Sequence, residues 1–363
     1  MRRICYVLPE CSAHTHFSYN CAFVDHIRDV MDVWLVTEKG ARRNCAQKQV
    51  SCQRFRFPAL RLIENFIMLF RIRLRGYSDF YVHYSFLSAL NAACIARFCG
   101  GRVFYWNAGL PWLYRRPFFR EWIERAAYRA ITFLVTGTEG LKQEYAKHYD
   151  IPLRKIKVMP NWIDVQKVKS QKLKMKINEL KRQLCIPEKA KVLLFVHRLS
   201  KRKGAHYLLE IMNRLRDENV VLLVVGDGPE RDSLELKIEK WGLANKTRFL
   251  GWTAQHEVTK YFSIADIFIM PSEEEGFPHA LLEALAAKVP FVAFRIGGVH
   301  EMLSEDLQKY AVEPGNLSLF INQIQSLLYM SSEHTRILQE KEEICARQFD
   351  LPVVKKRFQE LFL

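Results

Sequence analysis

The sequence predicts an α/β protein made of two domains, each with a parallel sheet and helices between its strands. Three observations lead to this class. The chain has 363 residues, more than a single hydrophobic core usually serves. Short apolar runs with the character of buried strands alternate with helical stretches along most of the chain. The segment 264–301 passes twice in succession through strand, loop and helix, the order of a parallel βαβ sheet.

The predicted strands lie on both sides of a polar connector. This connector, 165–182, is rich in Lys and Gln and is predicted to contain a helix. The predicted strands before it are Arg3–Leu8, Val33–Thr37, Phe80–His83, Val103–Trp106 and Phe133–Thr136, and those after it are Lys191–Val196, Val220–Val225, 264–272 and Val289–Phe294.

The loop and helix after the run 264–272 carry the most informative pattern. Pro278 stands at the predicted first helical position, and strong helix formers follow until Pro290 stops the helix. Glu275 is therefore predicted to lie in the loop, and Glu283 more than a turn inside the helix.

Two carboxylates and two free amides can bind a polyhydroxylated ligand at separated points. The N–H groups of Gly276 and Phe277 are expected to point outward at the positive end of the helix dipole, which also suits anions. The alternative is an amphipathic helix with an acidic first turn and no ligand. The next strand leads into Gly297-Gly298, and loops after parallel strands share a crevice, so these glycines are predicted to face Glu275.

A resemblance to a known family is carried by residues 271–303, PSEEEGFPHALLEALAAKVPFVAFRIGGVHEML. They resemble the donor-sugar motif of retaining glycosyltransferases of family four, which have the GT-B fold. The resemblance extends upstream through 196–204, 225–229 and 249–252. A weaker match at 158–164 resembles the boundary between the family's two domains. Together these motifs cover roughly the second half of the chain in the expected order.

The resemblance implies a specific architecture. It implies two Rossmann-like α/β domains that face each other across a cleft, where closure can exclude water from the active site. The N-terminal, acceptor-binding domain would comprise residues 1–165, and the nucleotide-sugar-binding domain residues 166–346. The last helix, within 347–363, would cross back onto the first domain.

A nucleotide-sugar donor leaves a diphosphate behind, whose growing charge must be stabilised. Metal-dependent transferases use Mg²⁺ or Mn²⁺ held by an Asp-x-Asp pair, and the sequence has no such pair. Arg198 and Lys203, five residues apart across a predicted strand-to-helix turn, can supply fixed cations instead. We therefore expect no metal and no other cofactor. The alternative is a basic loop of solvated side chains.

The resemblance also implies roles for individual residues at the sugar and the ribose. Glu275, with the amides of Gly276 and Phe277, would hold the hydroxyls of the transferred sugar. Glu283 would hold the ribose hydroxyls. His279 would either touch the sugar or serve the helix start.

The base and phosphates would be enclosed by neighbouring loops. Leu250 and the residues up to Trp252 would frame the base. Gly226 and Gly228 would allow a tight turn where side chains would block the nucleotide. The third Gly of the dinucleotide fingerprint is missing and the sequence has no Walker motif, so a dehydrogenase or an NTPase is disfavoured.

Three places depart from the family pattern. His14 and His16 stand where relatives usually have a Gly-Gly turn. Either imidazole could approach the diphosphate or the acceptor hydroxyl, or the loop could cap the next helix. Asn107 stands where many relatives have His and cannot act as a base, so the general base is left open. Lys288 replaces a helix-ending Gly, which predicts a left-handed residue strained by about 1 kcal/mol, and a slightly higher melting temperature for Lys288→Gly.

The positive charge is concentrated in the first domain. Residues 1–160 contain 25 Lys and Arg against 12 Asp and Glu, and the rest contains 30 against 27, in agreement with the net charge of +16. Segments 60–75 and 111–129 mix aromatic and aliphatic side chains with cations, which favours an anionic membrane surface. The alternatives are core aromatics beside a solvated basic face, or a nucleic-acid groove; no nucleic-acid module is recognisable, so we expect no nucleic-acid partner.

A cytoplasmic protein, peripheral on the inner leaflet of the membrane, is the expected location. No uninterrupted apolar run is long enough to span a bilayer, and Met1-Arg2-Arg3 is followed at once by a predicted strand rather than a signal sequence. The nine cysteines are scattered and include no C-x-x-C pair, which predicts reduced thiols.

The sequence therefore predicts a metal-independent, retaining glycosyltransferase. Its donor would be a nucleotide-sugar, and its acceptor a lipid-linked or membrane-proximal glycan in polysaccharide or glycolipid biosynthesis. The alternatives are an inverting transferase of the same fold and a catalytically inactive protein of this fold that acts as a scaffold.

Overall fold

The chain folds into two compact units. A computed structural model describes residues 1–11, 17–39, 50–52, 55, 57–174 and 176–363. Unit 1 comprises Met1–Met159 and Lys355–Leu363, and unit 2 comprises Pro160–Val354. Among the described residues, no helix is both long enough and apolar enough to cross a bilayer.

Each unit is built on a sheet whose paired strands all run parallel. The described residues of unit 1 form strands in the order β3-β2-β1-β4-β5-β6-β7, and those of unit 2 in the order β10-β9-β8-β11-β12-β13, as defined by the following bounds. The strands are β1 (Arg2–Glu10), β2 (Met31–Lys39), β3 (Val50–Cys52), β4 (Asp79–His83), β5 (Arg102–Trp106), β6 (Phe133–Thr136), β7 (Ile156–Val158), β8 (Lys191–Val196), β9 (Val220–Val225), β10 (Thr247–Gly251), β11 (Ile267–Met270), β12 (Phe291–Phe294) and β13 (Ala311–Val312).

Helices connect these strands in both units. Most of them follow a strand, as crossover connections between parallel strands require. The α-helices are α1 (Ser18–Ile27), α2 (Pro58–Leu74), α3 (Phe86–Cys99), α4 (Phe118–Ala130), α5 (Glu139–Tyr149), α6 (Val165–Lys174), α7 (Ile177–Gln183), α8 (Tyr207–Arg214), α9 (Arg231–Lys240), α10 (Gln255–Phe262), α11 (His279–Ala286), α12 (Gly298–Met302), α13 (Leu317–Leu328), α14 (Ser332–Arg347) and α15 (Leu351–Glu360).

Both units have the strand order of a Rossmann fold. In unit 2 the chain runs outward from β8 to β10 and then returns to place β11 on the other side of β8. The point where the order reverses, between β8 and β11, is where ligands of such sheets bind. Unit 1 has the equivalent point between β1 and β4. The prediction of two Rossmann-like α/β units is confirmed.

The strands predicted from apolar runs are all present, with shifted ends in the longer runs. The run 264–272 contributes only β11, and β12 begins two residues later than predicted. The strands β3 and β7, with three residues each, were too short to be recognised from their composition. The helix after β11 begins at His279, and Pro278 is its N-cap rather than its first residue.

The last residues of the chain complete the core of unit 1. The ring of Phe358 lies 4.9 Å from that of Tyr81, and the ring of Phe362 lies 4.5 Å from that of Phe104. Arg102 donates a hydrogen bond of 2.6 Å to the carbonyl of Phe362. These residues therefore belong to unit 1 and pack against its sheet.

One pair of cysteines departs from the expectation of reduced thiols. Cys11 and Cys21 are joined by a disulfide that links the end of β1 to α1, with their Cα atoms 5.7 Å apart. The prediction of reduced thiols is wrong for this pair because folding brings together two cysteines that stand ten residues apart in the sequence. Cys5, Cys94, Cys99, Cys185 and Cys345 are free thiols.

Lys288 ends α11 in the left-handed conformation, as predicted. Its φ is 54°, and the hydrogen bonds from its N–H to the carbonyl of Leu285 and from Val289 to Ala284 form a Schellman motif. Its side chain has a role that the sequence did not indicate. The ammonium lies 2.6 Å from the carboxylate of Glu343, which also pairs with Lys169 and Arg347. Hydrogen bonds from Lys169 and Lys288 are the main reason that the pKa of Glu343 is lowered to about 2.

This ion pair changes the expected effect of Lys288→Gly. Glycine relieves about 1 kcal/mol of backbone strain but removes a partly exposed ion pair of similar value, so we expect a melting temperature close to that of the wild type. In a Glu343→Gln background the ion pair is already absent. There, Lys288→Gly should raise the melting temperature by about 2–4 °C. Thermal unfolding of the four proteins tests this, and equal effects of Lys288→Gly in both backgrounds would refute it.

Candidate functional site

The candidate site lies at the carboxyl edge of the sheet in unit 2. Strands β8 and β11 are neighbours there, so the loop that follows Val196 meets the loop that follows Met270. Both strands are almost entirely apolar and buried, whereas polar side chains begin directly after them. The two loops bring together residues that are nearly eighty positions apart in the sequence.

Glu275 is the centre of this site. Its side chain is only 7% exposed, and its Oε1 lies 2.8 Å from Nε2 of His197 and 2.9 Å from Nζ of Lys203. Burial by itself would raise the pKa of this carboxyl group, but His197 and Lys203, which both bond to it, outweigh burial and lower the pKa to about 2. Glu275 is therefore an ionised acceptor at neutral pH. Lys203 also donates a hydrogen bond of 2.7 Å to the carbonyl of Glu274.

His197 was assigned no role from the sequence, although it lies within a quoted motif. Its Nδ1 accepts a hydrogen bond of 2.8 Å from the backbone N–H of Arg198. The ring proton therefore sits on Nε2, which donates to Glu275. Burial lowers the pKa of His197 more than Glu275 raises it, so the ring is neutral at pH 7. The signal that could have revealed it is a histidine directly after a buried strand.

Glycines allow the loops of the site to approach one another closely. A Cβ atom at Gly226 would lie 2.0 Å from the carbonyl oxygen of His197, and one at Gly228 would lie 2.3 Å from that of Leu199. A Cβ at Gly204 would lie 1.8 Å from the carbonyl oxygen of Pro271. The constraint observed at Gly226 and Gly228 is therefore contact with the loop after β8, which differs from the predicted need to admit a nucleotide.

The second glycine turn lies against Glu275, as the parallel sheet predicts. A Cβ at Gly297 would lie 2.0 Å from the carbonyl oxygen of Glu275, and Gly297 has a φ of 42°. Gly298 is buried as the first residue of α12. This turn therefore fixes the backbone position of Glu275 from the side of β12.

The start of α11 lies beside the same carboxylate. Phe277 is buried, and its ring packs 5.1 Å from that of Phe349, while its carbonyl accepts a hydrogen bond of 2.7 Å from Asn161. The side chain of Phe277 is thus an anchor for the loop, and no side chain among the described residues caps the N-terminus of α11.

Two titratable side chains lie on one face of α11. His279 and Glu283 are four residues apart and therefore neighbours on the helix surface. Burial lowers the pKa of His279 to about 3 against the smaller opposing effect of Glu275, so this ring is also neutral. Glu283 is buried.

Other residues predicted for the donor site lie on the surrounding elements. Arg198, the second residue after β8, is exposed, and so is Lys201 three residues further on. Gly276 is half-buried in the loop after β11, and Leu250 is half-buried in β10, beside the exposed Trp252. His197 and Lys203 both contact the carboxylate of Glu275 directly.

The candidate residues of the first domain are His14, His16 and Asn107. His14 and His16 lie outside the described residues. The side chain of Asn107 is buried, with Oδ1 accepting a hydrogen bond of 3.0 Å from the N–H of Gly109 and Nδ2 donating one of 3.2 Å to the hydroxyl of Tyr128. Both ends of the amide thus hold the loop after β5 in place.

The segment that contains these loops matches a known family. Residues 176–343 match the model described as glycosyl transferases group 1. That range contains every loop of the site in unit 2, including Lys203, Glu275 and Gly297.

Curated relatives agree with this match. The chain is 31% identical over 185 residues to an uncharacterized glycosyltransferase of Methanocaldococcus jannaschii, covering 50% of this chain and 47% of the relative. It is 27% identical over 211 residues to a UDP-Gal:α-D-GlcNAc-diphosphoundecaprenol α-1,3-galactosyltransferase of Escherichia coli, covering 56% and 52%. The chain spans about half the length of the curated relatives it matches. The family match and these relatives support a group 1 glycosyltransferase.

Solved structures extend the likeness to the whole chain at the level of fold. The structure of Alr3699/HepE of Anabaena in complex with UDP and glucose has a TM-score of 0.82, with 17% identity, over 100% of this chain and 99% of that one. At this identity the likeness shows the fold alone. It confirms the predicted GT-B class.

We expect Gly297→Ala to destabilise unit 2 more than Gly315→Ala. Both glycines have positive φ, 42° and 82°, so both substitutions introduce backbone strain. Only the methyl group at position 297 would meet the carbonyl oxygen of Glu275, whereas a Cβ at Gly315 meets nothing within 4 Å. Denaturant unfolding should show a loss of about 1 kcal/mol for Gly315→Ala and a clearly larger loss for Gly297→Ala. Equal losses would show that the contact with Glu275 is unimportant.

Proposed function

We propose that the protein is a retaining glycosyltransferase that moves a sugar from a nucleotide-sugar to a lipid-linked or membrane-proximal glycan, without a metal ion. The observation that carries this proposal is the ionised, buried Glu275 held between His197 and Lys203 at the reversal point of a Rossmann-like sheet. Such a point is a ligand site in this class of sheet, and a carboxylate there is a strong acceptor for sugar hydroxyls.

Arg198 and Lys203 would bind the diphosphate of the donor. An ammonium group has three N–H donors, of which Lys203 gives one to Glu275 and one to the carbonyl of Glu274, so one remains for a phosphate oxygen. Arg198 is exposed and can offer a bidentate fork. Both cations would stabilise the charge that grows on the departing phosphate, which is the work of a metal in other transferases.

The sugar and ribose would be held by the loop after β11 and by α11. Glu275 would accept hydrogen bonds from the sugar hydroxyls, with the N–H groups of Gly276 and Phe277 beside it at the positive end of the helix. Glu283 would bind the ribose hydroxyls, and the neutral His279 can offer the sugar a hydrogen bond without adding charge. Leu250 would border the base.

In the proposed retaining reaction the departing phosphate takes the proton of the acceptor hydroxyl. Because Asn107 has no basic atom and both ends of its amide are bonded within the loop after β5, it is not proposed as a base. The phosphate would then act as the base on the front face of the sugar, while the two cations stabilise its charge.

The acceptor proposal is supported by an exposed apolar stripe on α2, which consists of Leu60, Ile63, Ile67, Phe70 and Leu74. Their spacing of three and four residues places them on one helix face. Phe118, Phe119 and Trp122 at the start of α4 are also exposed, and α3 packs between the two helices. The galactosyltransferase of Escherichia coli named above acts, by its name, on a sugar attached to diphosphoundecaprenol.

Fewer cations are available beside these apolar groups than the sequence suggested. Arg116 forms an ion pair with the buried Glu124, and Arg125 pairs with Glu121, so both are used within unit 1. Arg71 and Arg120 are exposed, as are Arg115 and Arg129. We therefore propose binding to an anionic bilayer, on the cytoplasmic face and without a nucleic-acid partner, in which apolar insertion by the α2 stripe is assisted by these four arginines.

Arg198→Ala is the cleanest test of the donor site, because the side chain is exposed and its loss should leave the melting temperature unchanged. Removing a cation from a developing phosphate charge should lower kcat about 100-fold. Lys203→Ala is less suitable, because it removes the ammonium partner of a buried carboxylate. Lys201→Ala, an exposed cation on the same turn, is the matched control and should keep wild-type turnover.

The measurement is turnover of UDP-, GDP-, ADP- and dTDP-sugars in the presence of EDTA, with the anomeric configuration of the product determined. Turnover of one donor with retained configuration is expected. Inverted configuration would favour the inverting alternative, dependence on added metal would refute metal independence, and no binding at millimolar concentration would favour the inactive scaffold. Equal loss in Arg198→Ala and Lys201→Ala would refute the specific role of Arg198.

We expect Ile63→Glu to weaken binding to vesicles that contain anionic lipid. The side chain of Ile63 is 56% exposed in the α2 stripe, so the carboxylate should not disturb the core but should oppose insertion. Ile344→Glu is a matched control, since Ile344 is 65% exposed on α14 of unit 2. Co-sedimentation should show a loss of about fivefold or more for Ile63→Glu and a clearly smaller change for Ile344→Glu. Equal binding by both variants would show that α2 is not part of the proposed membrane-binding surface.

A further inference from the structure

His197 connects two parts of the donor site that would otherwise be independent. Its Nε2 donates to the carboxylate of Glu275, and its Nδ1 accepts from the backbone N–H of Arg198. Its own N–H bonds to the carbonyl of Val225, and its carbonyl oxygen faces Gly226 at a distance that no side chain at 226 would permit. The imidazole is thus attached to a fixed backbone and bonded at both nitrogens.

We infer that His197 is a positioning residue for sugar transfer, which sets the orientation of the Glu275 carboxylate relative to the turn that carries Arg198. This inference rests on the proposed function, because it assigns the sugar to Glu275 and the diphosphate to Arg198. His197 acts through Glu275, which would touch the sugar, and its bond to the N–H of Arg198 holds the imidazole itself in place.

The geometry at Glu275 explains why a second donor matters. His197 and Lys203 both bond to Oε1, one from the end of β8 and the other from the turn Lys201–Lys203. A lysine alone would form an ion pair around which the carboxylate can turn, because its ammonium is a point charge on a flexible stem. Two donors on one oxygen fix the plane of the carboxylate. Oε2 would then accept the hydrogen bonds of the sugar hydroxyls.

The neutral state of His197 suits this role. The charge of Glu275 is balanced by the single positive charge of Lys203, and a neutral imidazole adds a hydrogen bond without adding a second cation. The carboxylate therefore remains a strong acceptor for the ligand. A lysine or arginine at position 197 would compete with the sugar hydroxyls for the same charge.

The two nitrogens of His197 can be tested separately. In His197→Gln the side-chain amide nitrogen takes about the place of Nε2 and can still donate to Glu275. In His197→Asn the side-chain oxygen takes about the place of Nδ1 and can still accept from Arg198, but the amide does not reach Glu275. The two variants have similar polarity and size, so each is the control for the other.

The experiment measures kcat and KM for the donor identified with the wild type, together with the melting temperature and the affinity for the nucleoside diphosphate alone. We expect His197→Gln to keep kcat within about threefold and His197→Asn to lose about ten- to hundredfold, as a displaced catalytic group does. Affinity for the nucleoside diphosphate should be unchanged in both, because that ligand lacks the sugar held by Glu275.

Three results would overturn the inference. The first is that His197→Asn turns over as fast as the wild type. The second is that both variants lose activity equally and in proportion to their loss of melting temperature, as expected for a purely structural role. The third concerns a Glu275→Ala background, where the two substitutions should affect nucleotide-sugar binding equally: a persistent difference there would show that His197 does not act through Glu275. A wild type that turns over no donor would instead refute the proposed function, and the positioning role with it.

Discussion

The site of unit 2 depends on keeping one buried carboxylate ionised. Removing a carboxylate from water is costly, and a buried acid without partners binds a proton instead. At Glu275 the ammonium of Lys203 and the imidazole of His197 reverse this tendency and lower the pKa to about 2. Because all three groups must meet within about 3 Å, the loops that carry them have little freedom, and the surrounding glycines and hydrogen bonds follow from that requirement.

The order of the strands makes this meeting possible. β8 and β11 are separated in sequence by two strands and their helices. They are nevertheless neighbours in the sheet, because the chain places β9 and β10 on one side of β8 and then returns to place β11 on its other side. The loops at this edge of the sheet then approach so closely that Gly204, after β8, and Gly297, after β12, lie against backbone carbonyls of the loop after β11. A larger residue at either position would move the backbone next to Glu275, so these glycines serve the geometry of the carboxylate and not only the turn in which they lie.

In unit 1, too, the role open to a side chain depends on the residues that pack around it. The aromatic and basic residues of 111–129 looked alike in sequence, but folding separates them into two groups. Arg116 is bonded to Glu124 and to the hydroxyl of Tyr149 below the surface, while Phe118 and Trp122 remain exposed. The apolar stripe of α2 is likewise exposed although its residues have the composition of a core helix. Whether a side chain is available to a partner thus depends on its contacts in the folded protein, and these cannot be predicted from composition.

The sequence by itself determined the two α/β units, most strands and the left-handed end of α11, because buried strands, helix caps and glycine turns are signalled by neighbouring residues. It also identified Glu275 and the glycines that face it, since parallel sheets gather such loops at one edge. Only the tertiary structure decided that His197 bonds to Glu275, that Lys203 balances its charge, that the ring of Phe277 packs on Phe349, and that Lys288 pairs with Glu343. The physical reason is that these contacts join residues 55 or more positions apart, and their distances are set by the packing of the sheet and helices rather than by local sequence.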